Sequence, residues 1–548
     1  MRLFNDAILK SGSQEVKRKD SIIRNIARAS KAVALIFYRC LGPNGMNILV
    51  VDEKGDTFYA HDAYTVLEAV RNNFSHPVAR LLHEAVKTLD REVGDGGKTF
   101  CILLGEAMRH AEELREEGVR QANIIAGYSE AISKSIEFLE EIAIRVDRSN
   151  VEKIVKVVYS RLPLTAEEIN TLTHLTLEAI EHIASGSDSI NDFNIDNIKI
   201  KNKLGGDITS SFIVKGVVID KIWPGHIQMP QYISNPRIAL LTAPIEIKRS
   251  TLKYEYTVYA KDVSQLKEVM DGIAGMYEKA CEILYKVGAT VVLSRKELSD
   301  LVLEGLAKRG IMVAYRFSDD EIEFISKATG ARPVHNLEDI QPEDLGSAEA
   351  ARQVKIGSDR WITIDGCKNS NACTIVLRAN SFKALKMYEK AVNKCLRVVK
   401  SFISDQRVVA GGGSAEIALA TRLKKWATSV SGQKSLAILR FAQVFETIPL
   451  QLSYNSGKDG IDLLSRLRSM HMDGSDVYGI SSKGEIMNMF DLGVFEPLKV
   501  KKLLLSMLRE TLIQLLRIDN VIIAKQIKGN VTTRDVAPIK DYNVKEIA

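Results

Sequence analysis

Three short stretches rich in glycine hold residue types that can bind phosphate. They are Leu41-Gly42-Pro43-Asn44-Gly45, Gly94-Asp95-Gly96-Gly97-Lys98-Thr99 and Ala410-Gly411-Gly412-Gly413. Glycine adopts positive φ values and lets backbone N–H groups approach a ligand closely. A helix N-terminus that follows such a loop adds the positive end of a dipole. Each stretch is a candidate phosphate cradle, although each alone is weak evidence.

The Gly97-Lys98-Thr99 segment is similar to the end of a Walker A loop, but the rest of that motif is missing. The motif has a glycine five residues before its last glycine, and Glu92 stands there instead. We therefore reject a P-loop. Asp95 is a candidate magnesium ligand, because a carboxylate on a glycine loop suits a hard cation. The alternative is an aspartate that only caps a helix.

Two helices must position the second glycine stretch. A helical spacing of apolar residues predicts a helix that ends at Gly94, and a second helix is predicted to begin near Thr99. The loop at 94–98 then feeds a helix N-terminus, where anions bind. The first helix is indicated by Val78, Leu81, Leu82, Ala85, Val86, Leu89 and Val93.

The chain changes character in its middle and returns to helical patterns after about residue 399. Short runs typical of strands alternate with helical patterns, which predicts an α/β domain at about 214–362. The two ends of the chain share helical sequence patterns, which suggests that they form one discontinuous domain. The predicted strands are 216–219, 237–242, 290–293 and 311–317.

Composition indicates a compact soluble protein and excludes several classes. Of 548 residues, 45% are hydrophobic, and 75 Lys and Arg against 69 Asp and Glu leave a net charge of only +6. The basic runs Lys17-Arg18-Lys19 and 499–502 therefore indicate solvated faces, and no nucleic-acid partner is expected. Six cysteines without CxxC spacing indicate reduced, buried thiols and no zinc site. No apolar run of 18 residues occurs, so neither a membrane span nor secretion is expected.

The glycine stretches and several other motifs resemble, in order and spacing, the nucleotide site of the group II chaperonins. This family includes the archaeal thermosome and its eukaryotic cytosolic TCP-1 relatives, and the resemblance covers nearly the whole chain. Within the family, the chain resembles a divergent archaeal-type thermosome paralogue. The matching motifs are Leu41-Gly42-Pro43-Asn44-Gly45-Met46, Gly94-Asp95-Gly96, Val408-Val409-Ala410-Gly411-Gly412-Gly413, Asn455 with Gly457, Gly493-Val494-Phe495-Glu496-Pro497 and Leu516-Arg517-Ile518-Asp519.

The resemblance implies an α/β multidomain fold with a helical equatorial domain, an intermediate hinge domain and an α/β apical domain with a helical protrusion. The equatorial domain would bind ATP, and the apical domain would bind substrate proteins. The implied bounds are 1–144 and 399–548 for the equatorial domain, 145–213 and 363–398 for the intermediate domain, and 214–362 for the apical domain, with its lid protrusion near 250–276.

The resemblance also implies ATP or ADP as ligand, with Asp95 on magnesium and Arg161 as a sensor of the γ-phosphate. Arg161 aligns with a lysine of the family. Lys98 stands where the family has a threonine, and it can still neutralise phosphate charge. The implied nucleotide-binding residues are Leu41, Gly42, Pro43, Asp95, Gly96, Gly97, Lys98, Thr99, Gly411, Gly412 and Glu496.

The sequence departs from the family at one of two aspartates that serve hydrolysis. Asp62 is retained, but Lys394 occupies the second position, sixteen residues before Ala410. An ammonium cannot accept a proton from water unless its pKa falls by several units. We therefore expect ATP binding with little or no hydrolysis. Lys394 would pair with Asp62 or with the γ-phosphate, or else face solvent.

An apolar stripe at helical spacing lies within the implied protrusion. It either packs on its own domain or contacts unfolded clients and neighbouring protrusions, and the resemblance favours the second interpretation. The stripe consists of Leu266, Val269, Met270 and Ile273.

The expected function is that of a cytoplasmic molecular chaperone. The chain would be an ATP-binding subunit of a double ring, beside sister subunits in a hetero-oligomer or a homo-oligomer, and would assist the folding of unfolded protein clients. Two alternatives stay open. One is a scaffold or assembly subunit that does not use nucleotide, and the other is a fully active ATP-driven foldase.

Overall fold

The computed structural model describes most of the chain. The described residues are 14–15, 19–51, 55, 57–73, 76–162, 164–185, 194–220, 229–243, 263–357, 359–367, 372–519 and 522–523.

The described residues form fifteen α-helices and twenty short or medium strands. The helices are α1 (Lys19–Tyr38), α2 (Ala63–Ala69), α3 (Pro77–Val93), α4 (Gly97–Glu116), α5 (Gln121–Ile142), α6 (Val151–Ser160), α7 (Ala166–Ser185), α8 (Val263–Val287), α9 (Asp300–Lys308), α10 (Asp319–Thr329), α11 (Phe382–Asp405), α12 (Ser414–Ala427), α13 (Gln433–Asn455), α14 (Gly460–Met472) and α15 (Leu498–Leu516). The strands are β1 (Gln14–Glu15), β2 (Ile48–Val51), β3 (Thr57–Ala60), β4 (Ile144–Arg145), β5 (Ile198–Leu204), β6 (Phe212–Val214), β7 (Gly216–Ile219), β8 (Tyr232–Ser234), β9 (Arg237–Leu241), β10 (Val291–Ser294), β11 (Met312–Tyr315), β12 (Pro333–Val334), β13 (Gly346–Ile356), β14 (Asp359–Cys367), β15 (Cys373–Ala379), β16 (Arg407–Ala410), β17 (Tyr478–Ile480), β18 (Ile486–Asn488), β19 (Phe495–Pro497) and β20 (Ile522–Ile523).

A helical core, here called the first core, joins the two ends of the chain. Helix α1 packs along α4, and α13 packs against α4, α5 and α12, while α15 covers α5. The buried apolar residues of this core come from residues 22–139 and 409–516. At its centre the Phe441 ring lies 5.0 Å from the ring of Tyr128 and 5.3 Å from that of Phe445. The two ends of the chain therefore share one apolar interior.

A mixed sheet forms the second core, in the middle of the chain. Its main strand order is β11-β10-β9-β13-β14-β7, with β12 beside β9 and β8 beside β13. Strands β9, β10 and β11 are parallel, and Val291 on β10 pairs with Ile238 on β9 and Met312 on β11. All four residues of β10 are buried, as is typical of parallel strands covered on both faces.

A third core lies between the other two along the chain and includes the longest helix of this region, α11. It combines α6, α7 and α11 with the three-stranded sheet β5-β15-β6. Val408 and Phe495 from the neighbouring sheet β19-β16-β4 also pack into it. The third core is thereby joined to the first core through β16.

The structure confirms the expected α/β multidomain class, the four predicted strands to within two residues, and the helix end at Gly94. The second helix begins at Gly97 and not near Thr99, because the Gly96 carbonyl already accepts the N–H of Phe100 at 2.8 Å. All six cysteines are free and buried, as expected. Among the described helices, none combines the length and the apolar character needed to cross a bilayer.

The aromatic centre of the first core gives a test of its packing. We expect Phe441→Ala to destabilise this core by about 3–5 kcal/mol, because the cavity it leaves cannot be refilled by the rings around it. Leu436→Ala on the same helix removes a side chain that is 48% exposed and should change stability by less than about 0.5 kcal/mol. The free energy of unfolding of each variant is measured by urea titration, and the local effect by hydrogen exchange of the α5 amides. Equal effects would contradict this packing.

Candidate functional site

The three glycine stretches meet around one cavity of about 540 Å³ between the first and third cores. This volume lies within the range of sites for small molecules and cofactors. Of the residues predicted to form the nucleotide site, those that line the cavity are Leu41, Gly42, Pro43, Asp62, Asp95, Gly96, Lys98, Thr99, Arg161, Lys394, Gly412 and Glu496.

Two predicted residues lie beside this cavity. Gly97 lines a small adjoining cleft together with Asp62 and Lys394. The N–H of Gly411 donates a hydrogen bond of 3.0 Å to the carbonyl of Val494, so this group holds the loop together.

Two long helices begin at the cavity. Gly96 precedes α4 with φ +91°, and Gly413 precedes α12 with φ +78°. A residue with a side chain is strained in this left-handed conformation, which explains the glycines. Neither glycine offers a side chain to cap its helix, so the N–H groups in the first turn of α4 are left to a ligand. At α12 the N–H of Ser414 already donates to the Gly411 carbonyl at 3.0 Å, which leaves the N–H groups after it in the first turn. Together with the helix dipoles they make an anion-binding arrangement.

Two asparagine side chains, one in the loop around Leu41 and one from α13, tie this loop to distant parts of the chain. The Asn455 Nδ2 group donates to the carbonyls of Tyr38 and Leu41, both at 2.9 Å. Asn44 Nδ2 donates to the carbonyl of Ser482 at 2.6 Å. The loop is therefore held in place by side chains of its own site.

A chain of alternating charges crosses one wall of the cavity. Arg161, the C-terminal cap of α6, pairs with Asp95 and lies 2.6 Å from Glu496. Lys501 lies 2.6 Å from the other oxygen of Glu496 and also pairs with Glu416. Burial alone would raise the pKa of Glu496, but Lys501 and Arg161 hold it below its ordinary value. This carboxylate therefore stays ionised.

Lys501 corrects an expectation from the sequence. It belongs to the basic run 499–502, for which a solvated face is predicted, yet its side chain is only 12% exposed and bridges two carboxylates. Burial alone would lower the pKa of Lys501, but Glu416 and Glu496 raise it. The prediction fails because Lys501 lines the cavity, where it contacts Glu416 and Glu496. Nothing in the local sequence marks Glu416 and Lys501 as partners.

Lys394 lies between two carboxylates. Its Nζ is 3.0 Å from Asp62 Oδ1 and 3.1 Å from Asp90 Oδ1, and its side chain is 19% exposed. Burial alone would lower the pKa of Lys394, but the two carboxylates hold it above its ordinary value. Burial likewise would raise the pKa of Asp62, which Lys394 and the hydrogen bonds from Thr65 lower instead. Of the alternatives for Lys394, the solvent-facing lysine is therefore wrong, and the pair with Asp62 is present.

Lys394 is one of four cations on a single face of α11 that reach the first core. Arg397 Nη1 lies 3.1 Å from Asp90 Oδ2, so Asp90 binds two cations. Lys390 Nζ donates to Thr65 Oγ1 at 3.2 Å, and Lys383 Nζ to Thr57 Oγ1 at 3.5 Å. We call these four residues the basic face of α11. It fixes the third core on the first.

The entrance to α4 carries a further cation. Lys98 Nζ donates to the carbonyl of Cys40 at 2.7 Å. Burial, with the nearby Lys394 and Arg161 cations, lowers the pKa of Lys98 to about 8. The neighbouring His61 is neutral, since burial and the charge of Lys98 lower its pKa to about 4. Positive side chains thus surround the end of the cavity at the N-terminus of α4.

The donor set suits a phosphate-bearing ligand better than a metal ion alone. Within the described part of the chain, no three His, Cys, Asp or Glu side chains are grouped to hold a metal. Mg²⁺ is commonly bound by one or two carboxylates together with substrate phosphates. Asp95 is placed for this, but one oxygen accepts the N–H of Gly96 at 2.7 Å and the other faces Arg161.

The apolar stripe at Leu266, Val269, Met270 and Ile273 lies on α8, but these side chains fall outside the described residues. Residues 250–262 of the implied protrusion also fall outside them. Client contact through this segment stays a prediction.

Comparisons with known proteins agree over nearly the whole chain. The model of the TCP-1/cpn60 chaperonin family matches residues 33–526. The thermosome subunit alpha of Archaeoglobus fulgidus is 36% identical over 94% of this chain and 94% of its own length. The thermosome subunit of Methanocaldococcus jannaschii is also 36% identical, over 94% and 95%. That of Pyrococcus horikoshii is 35% identical over 95% and 94%.

The contact between Asp90 and α11 can be tested without a ligand. We expect Asp90→Asn to destabilise the junction by about 1–3 kcal/mol, because Lys394 and Arg397 both lose a charged partner. Hydrogen exchange of the α11 amides should accelerate. Glu323→Gln, which breaks an exposed pair with Lys327 on α10, serves as the control and should leave α11 unchanged. Unchanged exchange in both variants would contradict the role of this contact.

Proposed function

The chain belongs to the TCP-1/cpn60 chaperonin family, a family of molecular chaperones, and on this premise we propose that it is a chaperonin subunit that binds ATP and hydrolyses it slowly. The observation that carries the proposal is the Lys394 ammonium bound to Asp62 at the cavity.

Nucleotide binding is supported by the glycine loops and by the two helix N-termini that face the cavity. The phosphates would accept hydrogen bonds from N–H groups in the first turn of α4 and, after Ser414, in the first turn of α12, with Lys98 and Arg161 adding positive charge. Magnesium, where bound, would screen phosphate charge beside Asp95. The Leu41 loop, held by Asn455, would border the same ligand.

Slow hydrolysis is supported by the charges and contacts of Asp62 and Lys394, which occupy the two positions that serve hydrolysis in the family. The attacking water needs a group that orients it and accepts its proton. Lys394 is charged and has no lone pair for a proton. Asp62 Oδ1 already accepts the N–H of Thr65 at 2.9 Å and contacts the Lys394 ammonium at 3.0 Å. Lys394 therefore cannot act as the base. Asp62 is a weakened base, because burial alone would raise its pKa but Lys394 and Thr65 lower it.

We further propose the three-domain division of the family for this chain. The first core supports an equatorial domain at 1–144 and 399–548, the third an intermediate domain at 145–213 and 363–398, and the second an apical domain at 214–362. The names of the thermosome subunits support assembly with other subunits, which we propose to be a double ring in the cytoplasm that receives unfolded proteins.

Replacing Lys394 tests the hydrolytic half of the proposal. We expect Lys394→Asp to raise the single-turnover rate of ATP hydrolysis by about 100-fold or more, since a positioned base contributes that much. Lys394→Asn removes the charge without adding a base and should give no such rise. Lys400→Asp, on the exposed side of α11, is the matched control for charge.

A wild-type chain with a rate equal to that of Lys394→Asp would contradict the proposal and favour a fully active foldase. Thermal unfolding of each variant establishes that it is folded.

Binding of ATP tests the other half and separates the proposal from a scaffold that does not use nucleotide. At a free ATP concentration of about 100 times Kd, with magnesium, binding to the folded state should add about 2.7 kcal/mol to stability and raise Tm. Calorimetric titration gives Kd, and thermal unfolding gives Tm. If ATP neither binds nor raises Tm, the scaffold interpretation replaces this one.

A further inference from the structure

Lys98 is placed to bind an anion and is only partly used within the protein. It lies in the first turn of α4 and lines both the main cavity and the small cleft beside Asp62. An ammonium has three N–H donors. Among the described residues, its one hydrogen-bond partner is the carbonyl of Cys40, directly before the Leu41 loop. Two donors therefore remain beside the N-terminus of α4.

The charges around Lys98 distinguish it from the other cations of the site. Arg161 is paired with Asp95 and Glu496, and Lys394 with Asp62 and Asp90. No ion pair within 4.0 Å joins Lys98 to a carboxylate in the described part of the chain. The surrounding protein thus leaves the positive charge of Lys98 uncompensated by direct contact, and this charge adds to the positive dipole end of α4. Lys483 also lines the cavity, but its side chain is exposed.

The carboxylate that would hold a divalent ion is engaged at the same place. The Asp95 oxygens face the N–H of Gly96 and the Arg161 guanidinium, so an ion bound there would have to compete with Arg161. The Lys98 ammonium is part of the protein and can bind phosphate without displacing Arg161 from Asp95. Charge-assisted hydrogen bonds from an ammonium to phosphate oxygens are among the stronger polar contacts in proteins.

We propose that Lys98 takes over the role of a divalent cation at the phosphates, so that this chain holds ADP and ATP without magnesium. This inference rests on the proposed nucleotide binding and concerns its metal dependence. Lys98 bridges the Leu41 loop and the α4 N-terminus, and its two remaining donors face the space that the phosphates would occupy. The site then keeps its nucleotide when magnesium is scarce.

Calorimetric titration of the full chain with ADP and with ATP, in magnesium and in excess EDTA, tests the inference. For the wild type we expect Kd in EDTA to lie within about threefold of Kd in magnesium. For Lys98→Thr, and for Lys98→Gln, which keeps a donor for Cys40, Kd in EDTA should rise by about tenfold or more. In magnesium, Kd of these variants should rise by a clearly smaller factor than in EDTA, because the metal ion then screens the phosphate charge in place of Lys98.

Lys425→Thr is the matched control, because it removes an exposed lysine from the last turn of α12, far from the cavity. It should bind like the wild type in both buffers. Binding of the wild type in magnesium but not in EDTA would overturn the inference and leave the proposed function standing. Equal binding of Lys98→Thr and wild type in EDTA would overturn the role of Lys98. No binding in either buffer would overturn the proposed function itself.

Discussion

The position of α11 on the first core depends on one ammonium that two carboxylates share. Lys394 lies between Asp62, at the start of α2, and Asp90, near the end of α3. Removing such charges from water is costly unless each finds a well-placed partner. Arg397 completes the group at Asp90, so two cations face two carboxylates. Because this group is electrically balanced without a ligand, the third core and the first core meet in a defined way, and the cavity between them has a defined shape.

Charged groups in direct contact also line another part of the cavity. Arg161, Glu496 and Lys501 alternate in sign, and each contacts the next. Glu496 and Lys501 come from β19 and α15, which follow one another in the chain, whereas Arg161 at the end of α6 lies 335 residues before Glu496. A site whose groups are already oriented has less conformational freedom to lose when it binds a ligand. The contacts of Arg161 with Glu496, and of Glu496 with Lys501, therefore hold the third core on the first core. The contacts of Lys394 with Asp62 and Asp90 do the same elsewhere in the site.

Much of this architecture follows from local sequence. Gly94 ends α3 because a left-handed residue is needed there, and the strand at 291–294 begins with three apolar residues because both its faces are covered. Lys394 could be singled out through the resemblance to the chaperonin family, which places an aspartate sixteen residues before Ala410. Its second partner could not, because Asp90 lies on an amphipathic helix where an acidic residue is ordinary. The prediction of a solvated face for Lys501 fails for a related reason. A local charge pattern does not reveal that a lysine contacts a carboxylate from a distant part of the chain, as Lys501 contacts Glu416.

The basic face of α11 also has a mechanical consequence. From Lys383 to Arg397 its contacts extend along about 21 Å of helix, at about 1.5 Å per residue. A single helix of that length moves as a stiff rod, so lifting it from the first core breaks all the contacts in one event. Packed elements of this kind have a few discrete positions and do not bend through a continuous range. The four cations of the basic face therefore set how firmly the third core is held on the first core.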